Sequence, residues 1–254
     1  MLAAERKLKI IEYVKKNNVA SVAQLSEEFN VHEATIRRDL SEIEREEGLL
    51  RRTHGGVVLA EGVHSEPSFT VRVTERVEEK QRIGKRAAEL VNEGEHIILD
   101  SGTTTLQIAK HLSKRSNITV VTNDINIAAE FRDSKDIKVI VTGGILYPES
   151  FMLNGMFTNE VLKTLHVHKA FVATPAIHPK FGLTHFEEQL VSAKIGMIEA
   201  AQEVIVVADH FKIGGISLHT VAPSNRIHKL VTGIEATELQ IHQFEEMGIS
   251  VYTA

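Results

Sequence analysis

Apolar residues in the first part of the chain fall at helical spacing. Leu8, Ile11 and Val14 share a face over Ala4–Lys16, and Asn17-Asn18 ends that pattern. Ser21 with Gln24 three residues on forms a capping-box pattern for a second, short helix that turns Leu25 inward, and Asn30 supplies the next turn. A third helix starts near His32 or Glu33. At about 100° per residue, Ile36, Leu40 and Ile43 fall together, while Ala34, Arg38, Ser41 and Arg45 fall opposite, flanked by Thr35 and Arg37. Gly48 to Gly56 then reads as a short hairpin closing on a glycine pair.

From Gln81 the pattern changes. Ile83, Ala87, Leu90 and Val91 share a helix face, and His96–Leu99 reads as a buried strand. Further strands are expected near Ile118–Thr122, Ile137–Val141, Lys169–Ala173, Val204–Ala208 and Lys229–Thr232, alternating with helical stretches. Such alternation predicts an α/β domain with a mostly parallel sheet and helices on both faces, in which ligands sit at the carboxyl ends of strands. Between the two patterned regions, Glu66-Pro67 favours extended backbone in a segment without period. The expected division is therefore 1–57, a linker 58–80, and 81–254.

With 254 residues and 43% hydrophobic content, each domain can bury its own core. Cysteine is absent, and the first residues lack a basic segment followed by an apolar run and a cleavage site, so a cytoplasmic location is expected. Apolar runs such as Val204–Ala208 fall far short of the roughly 18 to 20 residues a membrane helix needs, so no membrane partner is expected. The net charge of −5 argues against indiscriminate binding to nucleic acid, and residues 1–56 balance ten Lys/Arg against ten Asp/Glu. Any contact with DNA must rest on where the charges stand.

Their placement fits a groove. Thr35, Arg37, Arg38, Ser41 and Arg45 line the outer side of the third helix, where small residues allow close approach and arginine suits guanine or phosphate. Arg51, Arg52 and His54 stand on the hairpin, where they can meet phosphates beside the groove, as a wing does. The alternative is that both arginine pairs are solvated charges on a small helical domain.

The turn after the first strand of the second domain is the most informative chemistry. Asp100-Ser101-Gly102-Thr103-Thr104-Thr105 joins a strand to a helix start, offering backbone N–H groups and hydroxyls that suit an anion. Thr122-Asn123-Asp124, Gly143-Gly144, Thr184-His185, and Asp209 with Lys212 stand at other expected strand ends and converge on the same crevice, Lys212 being the best charge partner for phosphate. Each also has a structural alternative: a threonine or Asp124 capping a helix, the glycines turning the chain, Lys212 solvated. The thirteen histidines form no set with zinc-site spacing, so neither metal nor cofactor is expected, and His185 or His210 is left as a candidate effector contact.

The stretch AQLSEEFNVHEATIRRDLSEIE followed by GLLRRTHGG closely resembles the winged helix-turn-helix of the DeoR family of bacterial repressors. That resemblance implies Thr35, Arg37 and Arg38 as DNA contacts on the recognition helix. It departs at His32, where the family usually has a serine cap, and in a one-residue lengthening between Ile43 and Gly48. From Glu66 onward, DSGTT, TND, TGG, GLT and AD..K match the DeoR-family sensor in order, a domain related to the ribose phosphate isomerase fold group. Ala173–Ala176 and His185-Phe186-Glu187 depart from the family pattern and are expected to shape effector choice. The resemblance implies a homo-oligomer, dimer or tetramer, that binds operator DNA of a carbohydrate-utilisation operon and is released by a phosphorylated sugar or related anionic sugar metabolite. A non-enzymatic repressor is thus expected. The alternative is a sugar-phosphate isomerase or deaminase with an accessory DNA-binding domain, in which Asp100, Asp124, Glu187 or Asp209 would serve as general base.

Overall fold

The computed structural model describes residues 2–17, 19–47, 50–52, 55–59 and 67–254. The chain divides into two compact units, Met1–Pro67 and Ser68–Ala254.

The first unit runs α1 (Ala3–Asn17), β1 (Val19–Ser21), α2 (Val22–Glu28), α3 (Glu33–Glu47), β2 (Leu50–Arg52) and β3 (Gly56–Leu59). Ser21 caps α2 with the reciprocal Gln24 bond expected, and Asn30 turns the chain at φ 50°. Ile36, Leu40 and Ile43 point into a core with Ile10, Ile11, Val14, Leu25, Leu50 and Val57. On α1 the expectation needs one change: Leu8 is 37% exposed and Ile10 is fully buried, because the buried face follows residues 10, 11 and 14. The hairpin β2–β3 gains a third strand, giving the antiparallel order β1-β3-β2. Glycine is required at position 56, since a Cβ there would lie 2.3 Å from the Ala20 carbonyl oxygen of the paired strand β1.

The second unit runs α4 (Phe69–Arg72), α5 (Val77–Ala88), β4 (His96–Leu99), α6 (Thr103–Leu112), β5 (Ile118–Thr122), α7 (Ile125–Glu130) and β6 (Ile137–Val141). A hairpin β7 (Ile145–Tyr147) and β8 (Met152–Asn154) follows, then α8 (Met156–Lys163), β9 (Val167–Ala173), β10 (Ala176–His178), β11 (Gly182–His185) and α9 (Glu188–Ala200). The chain ends with β12 (Ala201–Val207), β13 (His219–Ala222), β14 (Lys229–Thr232), α10 (Glu238–Glu245) and β15 (Ser250–Thr253). Seven strands pair in the order β15-β14-β12-β9-β4-β5-β6, every pair parallel.

Strand periodicity sorts the core onto two faces. Ile98, Ala170, Val172, Val204 and Val206 pack with α8, α9 and α10 through Leu162, Ala193, Met197 and Phe244. Their neighbours Ile97, Leu99, Phe171, Ile205 and Val207 pack on the other side with Ile83, Ala87, Leu106, Ile108 and Ile127 of α5, α6 and α7. The α/β expectation holds, with helices on both faces. A separate antiparallel sheet, β10-β11-β13, covers part of the first face. The segment expected to be linker 58–80 is shared between the units: Val58 and Leu59 belong to β3, while Phe69–Arg72 and Val77–Lys80 are helical, with Phe69 stacked edge-on against Phe151.

Candidate functional site

On the first unit, α3 presents Arg37 and Arg38 outward, with side chains 52% and 81% exposed. Each guanidinium lies along the helix against a glutamate one turn away, Arg37 toward Glu33 and Arg38 toward Glu42. Exposed pairs at this spacing are weak, so either arginine can exchange its partner for a base edge or a phosphate. Ser41 donates to the Arg37 carbonyl, and Thr35 stands half-buried one residue from Ala34, which is exposed. Arg45 lies on α3 and Arg51 and Arg52 on β2, but their side chains, and all of His54, fall outside the described residues.

On the second unit the strand order reverses between β4 and β9: β4 leads on to β5 and β6 on one side, while β9, β12 and β14 run to the other. Ligand crevices in parallel sheets form at such a switch point, outside the carboxyl ends of the strands. The Asp100–Thr105 turn lies there. Gly102 sits so close to β9 that a Cβ would come within 2.7 Å of the Ala173 Cβ. No side chain caps α6, which leaves its first-turn N–H groups open to an anion.

The turn is braced from beneath. Asp100 is fully buried, accepts from the Ala173 N–H, and pairs with Lys194 of α9, whose ammonium also donates to the Ala173 carbonyl. Burial raises the Asp100 carboxyl above its usual range, against the pull of Lys194. Ser101 donates to Asp124, and Asp124 caps α7 by accepting from the Asn126 and Ile127 N–H groups. Burial raises Asp124 as well. Thr105 donates to the Gly102 carbonyl and Thr122 to the Leu99 carbonyl, so both hydroxyls are spent on the scaffold. Thr103 and Thr104 are buried at the helix start. Asn123 donates to the Leu153 carbonyl, while its Oδ1 is buried without a partner.

Gly143 and Gly144 adopt positive φ of 73° and 125°, and Gly144 abuts Asn154 and Thr158 too closely for a side chain. Thr184 is tied to the end of β9, because Thr174 donates to its carbonyl and its own hydroxyl accepts from the Ser217 N–H. His185 is buried and accepts from the Glu187 N–H.

Asp209 stands beyond β12, two strands from β4 and thus about 10 Å along the sheet edge. It caps the following turn by accepting from the Phe211 N–H and faces the Arg76 guanidinium at 3.3 Å. Burial works against its charge, but Arg76, Lys212 and Lys80 together hold its carboxyl below the usual range. Lys80 is itself buried and donates to the Arg72 carbonyl; desolvation brings its ammonium down to about 8 despite Asp209. Arg76, Lys80 and Lys194 were missed by sequence reasoning. Helical charge on α5 and α9 reads as a solvated face until the strand ends are seen beside it.

Among the described residues, Glu79, His210 and Glu235 bring possible metal-ligand atoms within 4.8 Å of one another. Each is already engaged, Glu79 with the His210 N–H and Nδ1, and Glu235 with Arg82. The same edge is crowded with cations, which opposes a dication. Also among the described residues, no helix is long and apolar enough to cross a membrane.

The sequence matches the model of a DeoR-like helix-turn-helix domain over residues 6–63 and that of the DeoR C-terminal sensor domain over residues 75–233. It is 33% identical to the HTH-type transcriptional regulator GolR of Listeria innocua over all of both chains. It is 35% identical to the uncharacterized HTH-type regulator YulB of Bacillus subtilis over 99% of this chain and 96% of that one. The HTH-type transcriptional repressor GlcR of Bacillus subtilis is 36% identical over 91% of this chain and 89% of its own. Ribose-5-phosphate isomerase of Methanocaldococcus jannaschii aligns with 54% of this chain and 55% of its own at TM-score 0.41 and 17% identity, a partial likeness without functional weight. A helix-turn-helix unit with outward arginines, joined to a parallel α/β sensor and matched over its whole length by named regulators, places the chain in the DeoR family of transcriptional repressors.

Proposed function

We propose that this repressor leaves its operator when an anionic sugar metabolite, a phosphorylated sugar above all, occupies the crevice at the carboxyl ends of β4, β9 and β12. The observation that carries this reading is the strand-end cluster of Lys80, buried there, with Arg76 3.3 Å from the buried Asp209 and Lys212 beside them; burial brings the Lys80 ammonium down to about 8. An anion at that edge would restore the favourable field that burial removes. The uncapped start of α6 supplies a second attraction from across β9, with Ser101, Gly102, Thr103 and Thr104 around it. Asp100, Thr105, Thr122 and Asp124 then act as scaffold, while Asn123, Gly143, Gly144, Thr184 and His185 shape the walls.

Residues 1–57 would read DNA through Thr35, Arg37, Arg38, Ser41 and Arg45, with Arg51, Arg52 and His54 on the wing, in the cytoplasm and upstream of genes for carbohydrate use. Relatives named HTH-type transcriptional repressor GlcR and putative aga operon transcriptional repressor support a regulatory role of this kind. Two reading units per operator require self-association. The face around β7 and α8 suits it, since Ile145, Met156 and Phe157 are exposed there and Glu149 is the lone charged residue between positions 139 and 159. Of the four candidate bases, three are engaged, Asp100 by Lys194, Asp124 by a helix cap and Asp209 by Arg76, and the fourth, Glu187, is exposed at the start of α9.

The test is a thermal-shift screen of the full chain against sugar phosphates, followed by a gel-shift titration of operator binding at fixed salt. A ligand that binds the folded state raises its melting temperature. The expected hit both stabilises the protein and releases the DNA. A hit that stabilises the protein while operator binding ignores it would defeat the coupling.

A further inference from the structure

Inside the DNA-reading unit, Arg6 of α1 and Asp39 of α3 form a buried ion pair, Nε to Oδ2 at 2.6 Å and Nη2 to Oδ1 at 3.2 Å. The two residues are 9% and 3% exposed, and the pair raises the Arg6 guanidinium above its usual range through its bond to Asp39. One residue further along α1, Lys7 reaches Glu42, and Glu42 also accepts from Arg38. Consecutive residues of α1 therefore grip α3 at positions 39 and 42, one turn apart, between its core face and its outer face.

Such a pair is a poor choice if stability alone matters. Taking two charges out of water offsets most of their attraction, and apolar residues of similar volume commonly serve as well or better. What a two-bonded arginine–carboxylate pair adds is direction, because the planar guanidinium accepts one orientation of its partner. Direction is what a recognition helix needs. Turning a helix of about 5 to 6 Å radius by about 20° moves its rim by about 2 Å, well beyond the roughly 0.5 Å within which a hydrogen-bonded constellation works.

We propose that Arg6 and Asp39 are positioning residues for DNA recognition: their buried pair sets the rotation and register of α3, so that Arg38, braced through Lys7 and Glu42, meets base edges. The proposal rests on α3 being the reading helix and on nothing in the sensor unit.

The experiment uses the full-length protein, a duplex selected by it from a random pool, and a scrambled duplex of equal length, with affinities measured at fixed salt. The decisive variant is the double substitution Arg6→Met with Asp39→Leu, which fills the same space without charge. It is expected to melt no lower than the parent and to bind scrambled DNA as before. Its preference for the selected duplex should fall at least tenfold. Should the double variant fail to fold, Arg6→Lys decides, since it keeps the charge, loses the two-bond geometry and is expected to lose part of the preference. Full preference in a folded double variant, or in Arg6→Lys when only that one folds, would show the pair to be structural and overturn the proposal. If the parent itself selects no sequence, the reading role of α3 fails, and the positioning role with it.

Discussion

The outer face of α3 and the crevice of the sheet solve opposite problems with similar residues. On α3 the arginines Arg37 and Arg38 are exposed and pair one turn along the helix with Glu33 and Glu42, while the helix beneath them is held from α1 by Arg6 and Lys7. In the crevice Asp100 and Asp124 are buried and already bonded, Asp100 to Lys194 and Asp124 to Ser101. A macromolecule can reach exposed arginine tips directly, so only the helix that carries them has to be fixed beforehand. A small ligand needs a cavity wall fixed beforehand, so much of the polar sequence that marks the crevice is wall and only part of it can be contact.

That contrast predicts where substitutions will be costly. The largest effect is expected for Lys194→Met, which leaves Asp100 buried without its cation; breaking such a pair typically costs about 3 to 5 kcal/mol of stability, measurable by urea unfolding of the full chain. Arg38→Ala should leave folding unchanged, since the side chain is 81% exposed. It should weaken selected-operator binding by about 1 to 3 kcal/mol and relax sequence choice. If Arg38→Ala unfolds the protein and Lys194→Met does not, the contrast is wrong way round.

Smaller effects sharpen the crevice side. Lys212→Met should weaken the effector's release of DNA by about tenfold, or roughly 1.4 kcal/mol, while operator affinity without effector is unchanged. The same release should fade as pH rises through about 8, because Lys80 then loses the charge that the anion needs. Its sign follows from the lowered ammonium: the attracting form exists below that value and is lost above it. A release curve flat from pH 7 to 9 would remove Lys80 from the ligand. Ser21→Ala, which removes one side of the α2 capping box, should cost about 1 kcal/mol of stability and alter neither ligand response.

The sequence made local features legible and hid remote ones. The Ser21–Gln24 box, the inward set Ile36, Leu40 and Ile43, and the strands Ile118–Thr122, Ile137–Val141 and Lys229–Thr232 appear where short-range pattern places them. Each depends on contacts within a few residues or on a clean period. The strand Ser250–Thr253 carries no such signal: it lies at the sheet edge and is only half-buried. The crevice turn Asp100–Thr105 was visible, but its braces were not, because Lys194 is 94 residues away and acts from the opposite face of the sheet. Arg6 and Asp39, 33 residues apart, enter the sequence reading only as part of the charge balance of residues 1–56, for the same reason. Long-range ion pairs leave no periodic trace.

The most direct measurement is the affinity of the screened sugar phosphate for the full-length protein, alone and saturated with operator duplex, at one salt concentration and pH 7. Binding linkage is reciprocal, so the operator must weaken the metabolite by the same factor as the metabolite weakens the operator. Equal factors in the parent, both reduced in Lys212→Met, are the predicted result. An affinity for the metabolite that is the same with and without operator would contradict a crevice that controls the DNA-reading unit.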